Sequence, residues 1–329
     1  MDFATQKSSR LLAPRVSVII PTYNRARYLS EAIASVLGQT LTDLELIVVD
    51  DGSTDATPAL VNSIQDPRLR YIAQPHRGLS AALNRGLENS RGEYIARLDS
   101  DDMFLPKALT TLLSAIETAP SISVAWARGQ VMDESGRVQP RIRGSRERFA
   151  GEMLRSLMYQ DCTQCSSMLI PKACLAQVGG YDEALAFSED WDMALRLARQ
   201  FPFRFVDQIL VRVREHENAM TARKSPSLAG FIQTRAMPLD KLFSDPQLPL
   251  SIAAMKPMAY TNLHIFCGRM WIYARDFKNA SREFARAIAT SEEPVSTAFA
   301  VVWRALIGPV LESMRLLRWI RAKRRLSSY

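Results

Sequence analysis

The chain has 329 residues, 47% of them hydrophobic, enough to bury a core in one large or two modest domains, which excludes a disordered or fibrous protein. Its net charge of +8 and pI near 9.5, with basic residues gathered at 137–148 and 315–325, imply an anionic partner. A nucleic acid, an acidic membrane surface and a phosphorylated substrate would each satisfy that charge, but no nucleic-acid recognition motif or interleaved aromatics accompany the arginines. Among the four cysteines, Cys162 and Cys165 have zinc or redox spacing, yet no second pair or nearby histidine completes a ligand set, so buried reduced thiols are expected. Residues 1–15 lack the apolar core of a secretory signal, and the apolar stretch 295–320 is interrupted by Arg304, Pro309, Glu312 and Arg315. The expected location is therefore cytoplasmic.

Val16-Ser17-Val18-Ile19-Ile20 reads as a buried strand. Leu29, Ala32, Ile33, Val36 and Leu37 then recur at helical spacing, with Asn24 as the expected cap and Gly38 near the helix end. Residues 44–49 form a second strand, and Asp50-Asp51-Gly52-Ser53 turns into a helix carrying Leu60, Val61 and Ile64. A third strand at 70–73, a helix over 78–89 and a strand at 94–98 complete an alternation that predicts an α/β fold with a mostly parallel central sheet. Because ligands of open α/β sheets bind beyond the carboxyl ends of strands, residues 21–24, 50–53 and 99–102 are expected to meet at one edge.

Pro106 opens a helix through Leu109, Leu112, Leu113 and Ile116, followed by a strand at 122–127 and an arginine-rich connection over 137–148. A strand at 166–170, a turn at 178–182, a helix over 190–199 and a strand at 203–214 follow. After about Met220 the chain reads as helices. Residues 260–293 resemble one tetratricopeptide unit, which cannot bury its own face and is expected to pack as an appendage. Residues 303–326 form a basic amphipathic segment, suited either to an acidic membrane surface or to packing on the body.

Asp99-Ser100-Asp101-Asp102 follows a buried strand directly. Asp99 and Asp101 project to one side of an extended or turning segment, so they can offer two carboxylates to Mg²⁺ or Mn²⁺, cations that prefer oxygen ligands. Asp102 points elsewhere and suits a helix start. A carboxylate of Asp50-Asp51-Gly52-Ser53-Thr54-Asp55 can accept from a base imide N–H, as uracil would supply, although a turn and helix cap explain the segment equally. A rival reading as a dinucleotide oxidoreductase is disfavoured, because Pro21-Thr22-Tyr23-Asn24 stands where the first strand would need Gly-x-Gly-x-x-Gly.

Four ordered motifs resemble a family-2 inverting glycosyltransferase of the GT-A fold, over about residues 16–216: 16–24, 50–55, Gly92-Glu93-Tyr94-Ile95-Ala96-Arg97-Leu98-Asp99-Ser100-Asp101-Asp102, and Ser188-Glu189-Asp190. The resemblance implies a Rossmann-like nucleotide-diphospho-sugar transferase domain at 16–219, with a donor half (16–105) and an acceptor half (106–219), after an N-terminal tail (1–15) and before a helical region (220–329) associating with a membrane or a partner. It implies that Pro21, Thr22, Tyr23, Asn24, Asp51, Asn84, Asp99 and Ser100 bind the nucleotide sugar, and that Asp101, Asp99 and His216 meet the metal. It further implies that Asp190 is the catalytic base and that Glu189 and Trp191 bind the acceptor. Where relatives often carry Arg before Asn84 this chain has Leu83, leaving Arg77 or Arg85 to supply the charge. The implied activity is metal-dependent, inverting transfer from a UDP-linked donor to a hydroxyl of a glycan or glycolipid in cell-surface polysaccharide synthesis, on the cytoplasmic side of the membrane. A catalytically inactive GT-A-like scaffold is the alternative, and intact Asp99, Asp101 and Asp190 argue against it.

Overall fold

The computed structural model describes residues 13–144, 153–159, 165–219, 222 and 226–302. Strand and helix first alternate as β1 (Val16–Thr22), α1 (Ala26–Leu37), β2 (Leu44–Asp50), α2 (Thr57–Asn62), β3 (Leu69–Ala73), α3 (Leu79–Asn89) and β4 (Tyr94–Arg97). A short strand β5 (Met103–Phe104), helix α4 (Ala108–Glu117) and the hairpin of β6 (Val124–Met132) and β7 (Val138–Arg143) follow. Next come α5 (Met153–Tyr159), a single 3-10 turn (Cys165–Ser167), β8 (Met168–Pro171), α6 (Lys172–Val178), α7 (Glu189–Gln200) and β9 (Phe203–Arg214). The rest is helical: α8 (Leu228–Thr234), α9 (Met237–Ser244), α10 (Leu250–Ala253), α11 (Lys256–Tyr273), α12 (Phe277–Thr290) and α13 (Pro294–Val302).

The described strands make one sheet in the order β3-β2-β1-β4-β8-β6-β9-β5, with β7 added to β6. β1 to β4 are mutually parallel because α1, α2 and α3 carry the chain back between each strand and the next. Strand β8 enters antiparallel between β4 and β6. Alternate side chains supply two cores. Val18, Ile20, Leu46, Val48 and Ala96 face α1 and α4 through Leu29, Ile33, Leu109 and Leu112. Ile19, Ile47, Val49, Ile95 and Trp126 face α3 and α7 through Ala82, Leu83, Ala194 and Leu195. Each such aliphatic side chain contributes about 1.5–3 kcal/mol when fully buried.

β7 lies inside what reads as an arginine-rich connection, its Pro140 and arginines compatible with a strand paired to β6 alone. β6 runs five residues beyond the expected end, to Met132, where β9 continues beside it. Asn24 does not cap α1: its φ is +52°, and the Ala26 amide donates instead to Asp55 Oδ2 at 3.1 Å. The helices from α8 on pack against the body, since Leu228, Ile232, Leu239, Leu263 and Trp271 belong to the same core as α7. α11 and α12 form the expected helix-turn-helix, with Gly268 so close to Phe284 that a Cβ would fall 2.4 Å from the ring. The basic amphipathic segment at 303–326 lies outside the described residues.

At the amino end of the sheet, Glu45 is 1% exposed. Burial alone would raise its pKa, but Ser17 Oγ, the Arg91 amide and guanidinium, and Arg70 all donate to the carboxylate and hold it below its ordinary value. A depressed folded-state pKa gives stability that is present above the unfolded carboxyl value, about 4.3, and is lost as pH falls through the folded value. Urea unfolding should therefore show Glu45→Gln destabilised by about 1–3 kcal/mol at pH 7, with the gap narrowing toward pH 3. A gap that stays constant with pH would contradict this account.

Candidate active site

The carboxyl ends of β1 and β2 are locked together by side chains that the sequence places in turns. Asn24 Oδ1 accepts from the Thr54 amide at 2.8 Å and the Asp55 amide at 3.3 Å, while the Asn24 amide donates to Ser53 Oγ at 2.8 Å. Asp51 is 3% exposed, and its carboxylate accepts from Gln74 Nε2 (2.7 Å), the Arg77 amide (2.9 Å) and the Gly78 amide (2.8 Å). His76 Nδ1 lies 2.7 Å from the same carboxylate. Asp51 thus ties the loop before α3 to the end of β2. The half-exposed ring of Tyr23 stacks on His76 with centroids 4.2 Å apart, and Pro21 and Thr22 are buried beneath. A left-handed Gly78 (φ +96°) turns the loop into α3.

Asn84, expected in the pocket, spends its amide on a turn. Its Nδ2 donates to Tyr181 O (2.9 Å) and Glu183 Oε1 (3.0 Å), and the Tyr181 amide donates to its Oδ1 (2.7 Å). A Cβ on Gly180 would stand 2.5 Å from that oxygen, which is why the turn needs glycine there.

The acidic cluster at the end of β4 divides into three environments. Asp99 accepts from Arg97 Nε at 2.8 Å. Asp101 Oδ2 pairs with His216 Nε2 at 2.9 Å, and the histidine side chain is fully enclosed. Asp102, read from sequence as suiting a helix start, lies well before α4 and is buried, accepting from Ser166 Oγ (2.8 Å) and the Arg214 amide (3.0 Å). Burial, then the charges of Asp101 and Asp99, hold its carboxyl well above the usual range. Ser100 is buried between them.

Beneath this cluster lies Arg214, at the end of β9, whose role the sequence gives no hint of. It donates to Asp101 O (3.1 Å), Glu134 O (3.1 Å) and Glu31 (2.8 Å), and its guanidinium lies 4.9 Å over the Tyr28 ring. The Tyr28 ring also leans on His216, 4.9 Å between centroids. The last residue of β9 therefore holds the backbone of Asp101, and His216, two residues beyond it, meets its side chain.

Asp190 sits half-buried in the first turn of α7, after Ser188, which takes a left-handed φ of +64°. Its Oδ1 accepts from the Trp191 amide at 2.8 Å. A carboxylate at a helix N-terminus is favoured in its ionised form. Glu189 and Trp191 point inward. Glu189 pairs with Arg97 Nη1 at 2.8 Å, and Trp191 donates from Nε1 to Leu157 O at 3.2 Å. Each of these two residues, expected at the acceptor, is 4% exposed. Arg97 bridges Asp99 and Glu189 from inside the protein, 8% exposed. The signal in the sequence was a charged residue inside the otherwise apolar run Tyr94-Ile95-Ala96-Arg97-Leu98.

No group of three or more His, Cys, Asp or Glu side chains that could hold an ion exists among the described residues. Asp101 and His216 nevertheless form an oxygen–imidazole pair, Asp99 lies two residues away, and His216 Nδ1 is buried without a partner among the described residues. Mg²⁺ and Mn²⁺ are commonly bound by one or two carboxylates plus substrate phosphates, so this donor set fits an ion that arrives with a diphosphate.

The family model described as glycosyl transferase family 2 matches residues 17–174. An uncharacterized glycosyltransferase of Rickettsia prowazekii is 26% identical over 96% of this chain and 99% of its own length. One from Rickettsia typhi is 32% identical over 64% of this chain and 66% of its own. Chondroitin synthase of Escherichia coli is 31% identical over 62% of this chain, which matches only 30% of that longer protein. Among solved structures, S. aureus TarS 1–349 in complex with UDP-GlcNAc aligns with a TM-score of 0.61 at 20% identity, over 85% of this chain and 82% of that one. A mannosyltransferase of Pyrobaculum calidifontis, in complex with GDP-Man and Mn²⁺, aligns at 0.58 and 22% identity, over 94% and 86%. The fold is GT-A-like, a mostly parallel sheet with flanking helices and a C-terminal helical region. The chain belongs to glycosyltransferase family 2 and is an enzyme of that class.

Removing Arg97 should leave two carboxylates without their shared cation, one of them buried. Arg97→Met is expected to destabilise the protein by about 3–5 kcal/mol in urea unfolding. Combining it with Glu189→Gln should cost less than the sum of the single changes, because the second substitution discharges the orphaned partner. Strict additivity would show that the bridge contributes nothing.

Proposed function

We propose that the chain is a metal-dependent, inverting transferase that moves a sugar from a UDP-linked donor to a hydroxyl of a glycan or glycolipid, in cell-surface polysaccharide synthesis. The observation that carries this reading is the joining of Asp99 to the first turn of α7 through Arg97, which sets the Asp99–Asp101–His216 group and Asp190 on one frame. The UDP-GlcNAc and GDP-Man seen in fold neighbours are consistent with a nucleotide-sugar donor. The resemblance to chondroitin synthase is consistent with a glycan acceptor.

In this mechanism Pro21, Thr22 and Tyr23 border the nucleoside, with the Tyr23–His76 stack as an apolar platform and Asp51 holding the loop beneath it. Asn24 and Asn84 keep the surrounding loops in place. Asp99 and Ser100 lie along the ribose and diphosphate, and Asp101 with His216 would hold a divalent ion, Mn²⁺ or Mg²⁺. When bound, the ion supplies a positive charge that neutralises the leaving diphosphate. Asp190 removes the acceptor hydroxyl proton as that oxygen attacks the anomeric carbon and the bond to the diphosphate breaks, inverting the configuration. Glu189 and Trp191 fix the position of Asp190 from within. Peripheral association with an acidic membrane through residues 303–326 belongs to the same proposal. No described helix is long and apolar enough to cross a membrane.

A hydrolysis screen over UDP- and GDP-sugars with Mn²⁺ or Mg²⁺ tests the reading. Turnover of a UDP-sugar is expected, to be abolished by chelation, and to fall about 100-fold or more in Asp190→Asn and Asp101→Ala. Unchanged turnover in either variant, or no donor turned over by the wild type, would refute it. For the membrane part, co-sedimentation with anionic vesicles should be lost when the chain ends at residue 302. Equal binding by the shortened chain would overturn that part alone.

A further inference from the structure

The residues that support Asp190 from behind come from the helices after β9. α8 lies against the 186–188 segment that leads into α7. A Cβ on Gly230 would come within 3.1 Å of the Phe187 ring, and Phe231 meets the same ring edge-on at 6.3 Å. Arg235, just beyond α8, is 4% exposed and donates from Nη1 to Ser188 Oγ at 2.8 Å. Its guanidinium lies 4.4 Å over the Trp191 ring, 5.2 Å from Phe231 and 5.3 Å from Phe266 of α11. One buried cation therefore grips the residues on both sides of Glu189 and Asp190.

The grip falls where the backbone needs it. Ser188 is one of three non-glycine residues with positive φ among the described residues. A left-handed serine costs on the order of 1 kcal/mol and persists only where its surroundings hold it. The conformation sets the angle at which the first turn of α7 leaves the loop, and hence where the Asp190 carboxylate stands. On the opposite side the Arg97–Glu189 pair fixes the same turn to β4. Lys241 of α9 ties α7 again, reaching Asp192 and Asp182, both at 2.7 Å.

We infer that the helical region after β9 is a working part of the active site, and that Arg235 is a positioning residue that holds Ser188 and Trp191 so that Asp190 faces the acceptor hydroxyl. This rests on Asp190 being the base. It gives the C-terminal helices a role in the reaction, distinct from any role in membrane or partner binding.

The test uses the full chain with Arg235→Met and, as the milder change, Arg235→Lys. Hydrogen–deuterium exchange over 186–192 is read against 79–89, together with affinity for UDP plus Mn²⁺ and hydrolysis of the UDP- and GDP-sugar panel. Arg235→Met should exchange at least about fivefold faster over 186–192, with 79–89 unchanged and UDP affinity within twofold. Its hydrolysis should fall about 10- to 100-fold, since small misplacements of a reacting group carry penalties of that order. Arg235→Lys, which keeps the charge, should recover part of both losses. Unchanged exchange over 186–192, or hydrolysis equal to wild type in folded Arg235→Met, would overturn the inference. So would a loss of UDP affinity parallel to the loss of hydrolysis, which marks general loosening. Asp190→Asn separates the two readings: full hydrolysis in that variant refutes the base, whereas an inactive Asp190→Asn beside a fully active Arg235→Met refutes only the brace.

Discussion

Arg97 carries a full charge into the protein at the end of β4, and such a charge is tolerated only where it is paired and hydrogen-bonded on every side. Its partners are Asp99 and Glu189, one from the end of its own strand and one from the first turn of α7. Much of the local architecture follows from that demand. Asp99 is held by a fixed cation, so one carboxylate of the Asp-x-Asp pair is oriented before any ligand arrives. Glu189 is drawn inward, which leaves its neighbour Asp190 as the half-buried carboxylate at the start of the helix. The acidic cluster after β4 and the first turn of α7 are thereby mounted on a single ionic bridge.

Two other buried arginines repeat the device. Arg214 joins the backbone of Asp101 to Glu31, Glu134 and Tyr28, so the carboxyl end of β9 is fastened beneath the acidic cluster. Arg235 joins the later helices to Ser188 and Trp191. Each is an arginine, not a lysine, at a place where several acceptors or ring faces must be met at once by one planar, permanently charged group. The site is stiff for reasons that are mostly electrostatic, on a sheet held together by apolar packing.

The alternation of strands and helices through β4 was legible because buried parallel strands and amphipathic helices have distinct periods, as in Val16–Ile20 and Leu29–Leu37. The positions of Asp51, Asp99, Asp101 and Asp190 were legible because short motifs mark strand and helix ends. What those motifs do not carry is the identity of partners far away in the chain. Asn84 is engaged by Tyr181 and Glu183, Asp102 by the Arg214 amide, and Trp191 by Leu157 and Arg235, so their inward roles emerge only when the sheet is assembled. β7 was illegible for a different reason, since Val138-Gln139-Pro140-Arg141-Ile142-Arg143 pairs with β6 alone and shows the composition of a solvated loop. The helices after β9 read as separate because their apolar stripes give no address, and their partner face is the core behind α7.

The account depends on nucleotide diphosphate and base being held on one frame, and the structure of the protein bound to UDP and Mn²⁺ tests this most directly. The account predicts the diphosphate against Asp99 and Ser100, the ion between it and Asp101, the Arg97–Glu189 pair intact, and the Asp190 carboxylate open to the side from which an acceptor would approach. A nucleotide bound away from the ends of β1, β2 and β4, or an Arg97 that leaves Glu189 to take the diphosphate, would contradict it.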